Sequence, residues 1–231
     1  MNICLICQQI FLPKINLLDI LSLKKPSYPQ LCTHCLEKFE LLSESRCSIC
    51  DRNSSEQIIC EDCQTWQKKY SHNILRNHAI YRYNSAFHDL MVNYKRYGDY
   101  ELNRALRALI KDKIRHYQFD YYIPIPTSPE HQAKRQFDTI YEIFDSVFEL
   151  TPFLKKIEGS GAQGEKNKIQ RLKAKQSFYL DQKIVKRVNI NHKKVLLLDD
   201  IYTTGKTLYN ARDKLLETFP QARIESFTIC R

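Results

Sequence analysis

The run Val195-Leu196-Leu197-Leu198-Asp199-Asp200-Ile201-Tyr202-Thr203-Thr204-Gly205-Lys206-Thr207 constrains the fold more than any other stretch of this 231-residue chain. Four consecutive apolar residues without alternation need cover on both faces, which is the situation of a central strand in a parallel sheet. A polar turn follows, and Leu208, Ala211, Leu215 and Phe219 then recur at helical spacing. Arg223 to Cys230 supplies one more strand. Strand, turn, helix and strand in this order predict an α/β domain with a mostly parallel sheet. Ligands of such sheets sit beyond the C-terminal strand ends, which is where Asp199 to Thr207 falls.

Earlier segments fit the same architecture. Ile74 to Tyr83 reads as a strand, and Phe87, Leu90, Met91 and Tyr94 as a helix stopped near Gly98. Leu102, Leu106, Leu109, Ile110 and Ile114 mark a second helix. Asp120 to Pro126 is a short strand, and Phe137, Ile140, Tyr141, Phe144, Val147 and Phe148 give a third amphipathic helix. Glu158 to Lys175 holds Gly159, Gly161 and Gly164 among many lysines and reads as a mobile loop.

The turn itself has a chemistry. Two carboxylates at a strand end suit adjacent ribose hydroxyls or a magnesium shell. The hydroxyls of Thr203, Thr204 and Thr207, together with backbone N–H groups at a helix start, suit a phosphate monoester. Gly205 allows close backbone approach. Ribose-binding acids beside a phosphate nest describe a 5-phosphoribosyl site; the spacing Gly-x-x-x-x-Gly-Lys of a P-loop is absent.

Eight of the nine cysteines form four Cys-x-x-Cys pairs, Cys4/Cys7, Cys32/Cys35, Cys47/Cys50 and Cys60/Cys63. Two knuckles of this spacing complete one tetrahedral ion, so the pairs predict one or two structural zinc ions. The simplest assignment gives the first two pairs to one ion and the last two to another. No export signal precedes them, which argues against disulfides. The organisation expected is therefore a zinc-binding module over 1–70 followed by an α/β domain over 71–231. Cys230 is unpaired and expected to be buried.

Charge adds a class of partner. The formal net charge is +10, or about +6 once two four-thiolate zinc sites have formed. Residues 155–194 hold twelve Lys and Arg against three acids, a surplus that suits a polyanion. The cysteine module could bind protein, orient the second domain or touch single-stranded DNA through Trp66, Lys68, Lys69 and Tyr70. Tyr81, Tyr83, Tyr94, Tyr97 and Tyr100 around Lys95 and Arg96 could offer stacking platforms, although tyrosines at such spacing more often belong to core or rim. No uncharged apolar run of about 18 residues is present, so no membrane span is expected and the chain reads as cytoplasmic.

The thirteen residues from Val195 resemble the signature of type I phosphoribosyltransferases. With four Cys-x-x-Cys pairs ahead of them, the chain resembles the ComF family of competence proteins in its ComFC branch. Tyr94-Lys95-Arg96 with Gly98, Ile123-Pro124-Ile125-Pro126, and Gln163-Gly164-Glu165-Lys166 with Arg171 fall in family order. The resemblance implies a type I phosphoribosyltransferase fold behind a zinc module, and a role in taking up single-stranded transforming DNA. It also implies work in the cytoplasm at the inner face of the membrane, with a ComFA-type helicase-like ATPase as partner. Asp199 and Asp200 would meet the ribose hydroxyls, and Thr203, Thr204, Gly205, Lys206 and Thr207 the 5-phosphate of phosphoribosyl pyrophosphate held with magnesium. Ile125, Pro126, Thr127 and Ser128 would lie near the pyrophosphate with Arg135, and Gln163, Lys166 and Arg171 in a loop over the site. Family members carry Arg-Gly-Phe-Asn-Gln where this chain has Arg135-Gln136-Phe137-Asp138-Thr139. That departure favours ligand binding without transfer over the alternative of an active transferase, for which the sequence names no nucleophile or acceptor.

Overall fold

The computed structural model describes residues 1–13, 29–54, 59–71, 73–114, 116–157 and 177–231. The expectations for Gln163, Lys166, Arg171 and most of the basic loop lie outside the described residues. Two short strands, β1 (Asn2–Ile3) and β2 (Ile10–Phe11), pair antiparallel around the first Cys-x-x-Cys turn. Helix α1 (Thr33–Leu36) has Cys32 at its N-cap and carries Cys35, and α2 (Glu61–Lys69) has Cys60 at its N-cap and carries Cys63.

The chain then lays down β3 (Asn77–Tyr81), α3 (Ser85–Lys95), α4 (Leu102–Ile110), β4 (Tyr121–Pro124), α5 (Pro129–Arg135) and α6 (Thr139–Phe144). A small antiparallel pair, β5 (Leu154–Lys156) and β6 (Phe178–Leu180), precedes α7 (Gln182–Val185). The last three elements are β7 (Lys194–Ile201), α8 (Lys206–Thr218) and β8 (Arg223–Cys230). Four strands form one parallel sheet in the order β3-β8-β7-β4. The α/β architecture read from the apolar run is thus the one observed.

Alternation along β7 explains how the sheet is clothed. Leu196 and Leu198 enter an apolar cluster with side chains of α3, α4 and α6, whereas Val195 and Leu197 enter another with Leu208, Ala211 and Leu215 of α8. Each cluster also takes in cysteines: Cys4 and Cys35 lie in the first, Cys47, Cys50 and Cys63 in the second. Between them the segment of residues 40–51 runs along the free edge of β3. Leu42 N–H donates to the Ile80 carbonyl at 2.9 Å, Arg82 N–H to Glu40 at 2.8 Å, and Asn77 N–H to Ile49 at 2.7 Å. The edge that would otherwise offer itself to another strand is thereby covered.

Local signals set the element ends. Asn84 caps α3 by accepting from Phe87 N–H at 3.1 Å, and Gly98 takes φ +73° just past its end. The amphipathic run over 137–148 yields a helix of only Thr139–Phe144. Gln136 closes α5 in the left-handed region and Asp138 opens α6 as its N-cap, so Phe137 falls in the link between them. Tyr81 and Tyr94 are core residues, their hydroxyls donating to the carbonyls of Leu109 and Thr139 at 2.8 Å each. Tyr83, Tyr97 and Tyr100 are exposed.

Candidate functional site

The carboxylates expected at the end of β7 are there. Asp200 is buried and ion-paired with Lys95 at the end of α3, while Asp199 accepts from the Asp200 N–H at 2.9 Å. Burial, followed by the charge of Asp200, pushes the Asp199 carboxyl up to about 7. Lys95 is pulled down by burial, and the charges of Asp200 and Asp199 more than offset that, so its ammonium is held above its ordinary range. Lys95 was legible as a basic residue of a family segment but not as the partner of this dyad, which only the docking of α3 beside β7 reveals.

The turn continues in the geometry that an anion site needs. Gly205 has φ +78°, and a Cβ there would fall 2.2 Å from the Tyr202 hydroxyl, so no other residue fits. Thr203 and Thr207 are exposed, Lys206 is half-buried, and Thr204 is buried, its hydroxyl accepting from Lys206 N–H at 3.4 Å. These residues begin α8, whose thirteen residues direct an N-terminal dipole at the same place.

The neighbouring strand end joins the site. Ile125 N–H donates to the Leu198 carbonyl at 2.9 Å, extending the ladder of β4 on β7 just before Asp199. Pro126, Thr127, Asp138 and Lys156 are among the residues lining a cavity of about 410 Å³ beyond that end. Ser128 is buried with no partner for its hydroxyl among the described residues. Arg135 donates to the Lys95 carbonyl, which brings it to the dyad. Lys156 is pulled down by burial and held up in part by Asp199, a placement that the general basic run did not distinguish.

The cysteines form two groups, Cys4/Cys7/Cys32/Cys35 and Cys47/Cys50/Cys60/Cys63, each with all four sulfurs within 4.8 Å of one another. No disulfide joins them. Zinc–sulfur bonds of about 2.3 Å in a tetrahedron set sulfurs about 3.8 Å apart. Cys7 and Cys32 sulfurs are 3.8 Å apart, and those of Cys50 and Cys60 3.6 Å. Backbone N–H groups also point at sulfur, Cys32 N–H at Cys4 Sγ (3.4 Å) and Cys60 N–H at Cys47 Sγ (3.5 Å). The donor set fits zinc, and the pairing is the simplest one expected.

Trp66 was a candidate stacking platform for DNA. It is instead 6% exposed, stacked on Tyr209 at 4.1 Å between ring centres, with its indole N–H donated to the Thr204 carbonyl at 2.8 Å. An indole at this spacing after Cys63 faces inward because α2 packs on α8.

Among known proteins, the competence protein ComFC of Streptococcus pneumoniae (strain ATCC BAA-255 / R6) is 31% identical over 232 residues, covering 99% of each chain. The chain belongs to the ComFC family. Competence protein ComFC of Bacillus subtilis (strain 168) is 27% identical over 236 residues, 99% of this chain and 95% of that one. No protein-family profile matches the chain.

In this ComFC-family chain the departure at residues 135–139 has a physical reading. Gln136, standing where the resemblance leads one to expect glycine, has φ +68°, a conformation that glycine enters freely. Asp138, in the place of asparagine, accepts from Ile140 and Tyr141 N–H at 3.0 Å each with one oxygen. Its other oxygen accepts from Thr127 N–H at 2.9 Å. Thr139 N–H donates to the Thr127 hydroxyl at 3.1 Å. Residues 138 and 139 therefore brace Thr127 beside the site. No helix among the described residues is long and apolar enough to cross a membrane.

Proposed function

We propose that this chain is a competence factor for the uptake of single-stranded transforming DNA, and that it retains a phosphoribosyl pyrophosphate-type site at the end of β7. Full-length relationship to two competence proteins supports the first part. The observation that carries the second is the succession at one sheet edge of Asp199, Asp200, left-handed Gly205 and the start of α8. Asp199 and Asp200 would take the ribose hydroxyls, Thr203 to Thr207 the 5-phosphate, and Ile125 to Ser128 with Arg135 the pyrophosphate side. Magnesium, when bound, would neutralise the pyrophosphate and draw on the same carboxylates. A sugar hydroxyl entering there competes with Lys95 for Asp200. Gln163, Lys166 and Arg171 are assigned to the loop over the ligand.

A single strand suits the neighbouring surface. Thr203, exposed Tyr83 and Arg82 line a cavity of about 640 Å³ beside the turn, with Arg52 and Arg231 paired to Asp62 in its wall. The exposed ring is of the kind on which bases of a single strand stack. Zinc in the two cysteine groups is structural in this reading. The partner is a ComFA-type ATPase at the cytoplasmic face of the uptake machinery.

Calorimetric titration with phosphoribosyl pyrophosphate and magnesium tests the site. The chain is expected to bind, the Asp199→Asn/Asp200→Asn variant to lose binding, and cells carrying that variant to lose transformation. Absence of binding by the unaltered chain overturns the site. Pyrophosphate release over a panel of bases and amines would instead favour an active phosphoribosyltransferase.

A further inference from the structure

Three consecutive carbonyls of the turn are held from behind. Arg231 Nη1 donates to the carbonyls of Tyr202 at 3.2 Å and Thr203 at 2.8 Å. Trp66 Nε1 donates to that of Thr204 at 2.8 Å. Both side chains also touch or adjoin the second cysteine group, Trp66 from α2 and Arg231 from the residue after β8. Trp66 stands one helical turn after Cys63 on α2. Arg231 points Nε and Nη2 at Cys50 Sγ, 3.4 Å each, and lies 3.8 Å from Asp62. Its guanidinium also stacks on Tyr202 at 4.7 Å from the ring centre.

The arrangement has an electrostatic logic. The Arg231 side chain is only 8% exposed, and a cation so buried is costly without anionic partners. Four thiolates on zinc carry a net charge of −2, so the metal group supplies the counter-charge and fixes the fork. In a trans peptide the C=O and the next N–H point in opposite directions. Anchoring the carbonyls of residues 202, 203 and 204 on one side therefore turns the N–H groups of Thr203, Thr204 and Gly205 to the other. Consecutive N–H groups facing one way are what an anion nest consists of.

We propose that Arg231 and Trp66 are positioning residues for the phosphate turn, through which the second cysteine group sets the orientation of its N–H groups. This rests on the reading of the turn as a phosphate site. Neither residue touches the ligand. The first cysteine group, on the opposite face of the sheet, has no such connection to the turn among the described residues.

Two readouts on the full-length, metal-loaded chain decide it: hydrogen exchange of the amides of 203–207, and calorimetric affinity for phosphoribosyl pyrophosphate with magnesium. Arg231→Ala is expected to keep its zinc content, to exchange these amides faster, and to bind roughly tenfold more weakly. Arg231→Lys keeps the charge without the fork and is expected to resemble Arg231→Ala; restoration by lysine would reduce Arg231 to charge balance and overturn its positioning role. Trp66→Phe keeps the stacked ring and loses one N–H, so binding weakens roughly threefold with metal and folding intact. Unchanged exchange and affinity in both Arg231→Ala and Trp66→Phe overturn the proposal. If the unaltered chain binds nothing, the phosphate reading falls, and the exchange data still decide whether these side chains order the turn.

Discussion

Asp199 and Asp200 are adjacent carboxylates with unequal surroundings. Asp200 is buried against the Lys95 ammonium, and Asp199 bears the remaining repulsion, its carboxyl pushed up to about 7 by burial and by Asp200. A carboxyl whose pKa is higher folded than unfolded binds its proton more tightly in the folded state. Its cost to stability is absent in the ordinary carboxylate range near 3.8, grows as pH rises, and is complete above about 7. Asp199→Asn should therefore be no more stable than the unaltered chain at pH 4 and more stable by about 1–3 kcal/mol at pH 8. Thermal melts of both proteins across that range check it; a constant difference would mean that Asp199 is not strained by charge. Asp199, Asp200 and the turn after them were legible in the sequence because a strand end places consecutive residues together. The parts that Lys95, Lys156, Trp66 and Arg231 play here were not, because each reaches the turn from a distant segment and no spacing in the sequence ties it to the dyad.

At the scale of elements, the link between α5 and α6 shows what a pattern can hide. Gln136 occupies the left-handed region at φ +68°, where a side chain costs about 1–2 kcal/mol relative to glycine. Glycine loses part of that advantage through its freedom in the unfolded chain. Gln136→Gly should thus raise stability by about 0.5–1 kcal/mol, measured by denaturant midpoint at unchanged slope. A loss of stability would show that the Gln136 side chain, which donates to the Ala133 carbonyl, contributes more than its backbone costs. Strands and helices with long uniform patterns were readable nearly to their ends: the last strand spans Arg223–Cys230 as expected, and α8 spans Lys206–Thr218. The helix over 137–148 was read too long because apolar periodicity began ahead of the Asp138 cap and continued past Phe144, where the helix ends. β5 and β6, three residues each, pair across a long sequence separation and leave no local signal.

Across the whole molecule, the two cysteine groups sit on opposite sides of one sheet. Cys4 and Cys35 share an apolar cluster with Phe87, Leu106 and Phe144, whereas Cys47, Cys50 and Cys63 share another with Trp66, Tyr209 and Leu197. The segment joining the groups is hydrogen-bonded along the edge strand β3. Contacts of this kind are expected to couple the melting of residues 1–70 to that of the sheet, although the sequence reads as a module followed by a domain. Metal binding to folded thiolates contributes directly to folding free energy, and on a chain of this size about 1 kcal/mol moves the melting temperature by 2–4 °C. Removing zinc with a chelator is therefore expected to lower a single cooperative transition by at least about 10 °C, with near-ultraviolet signals of Trp66 and of the tyrosines lost together. Two separated transitions, with the tyrosine signal surviving metal loss, would mean that residues 1–70 melt on their own and that the covered edge of β3 contributes little to the sheet.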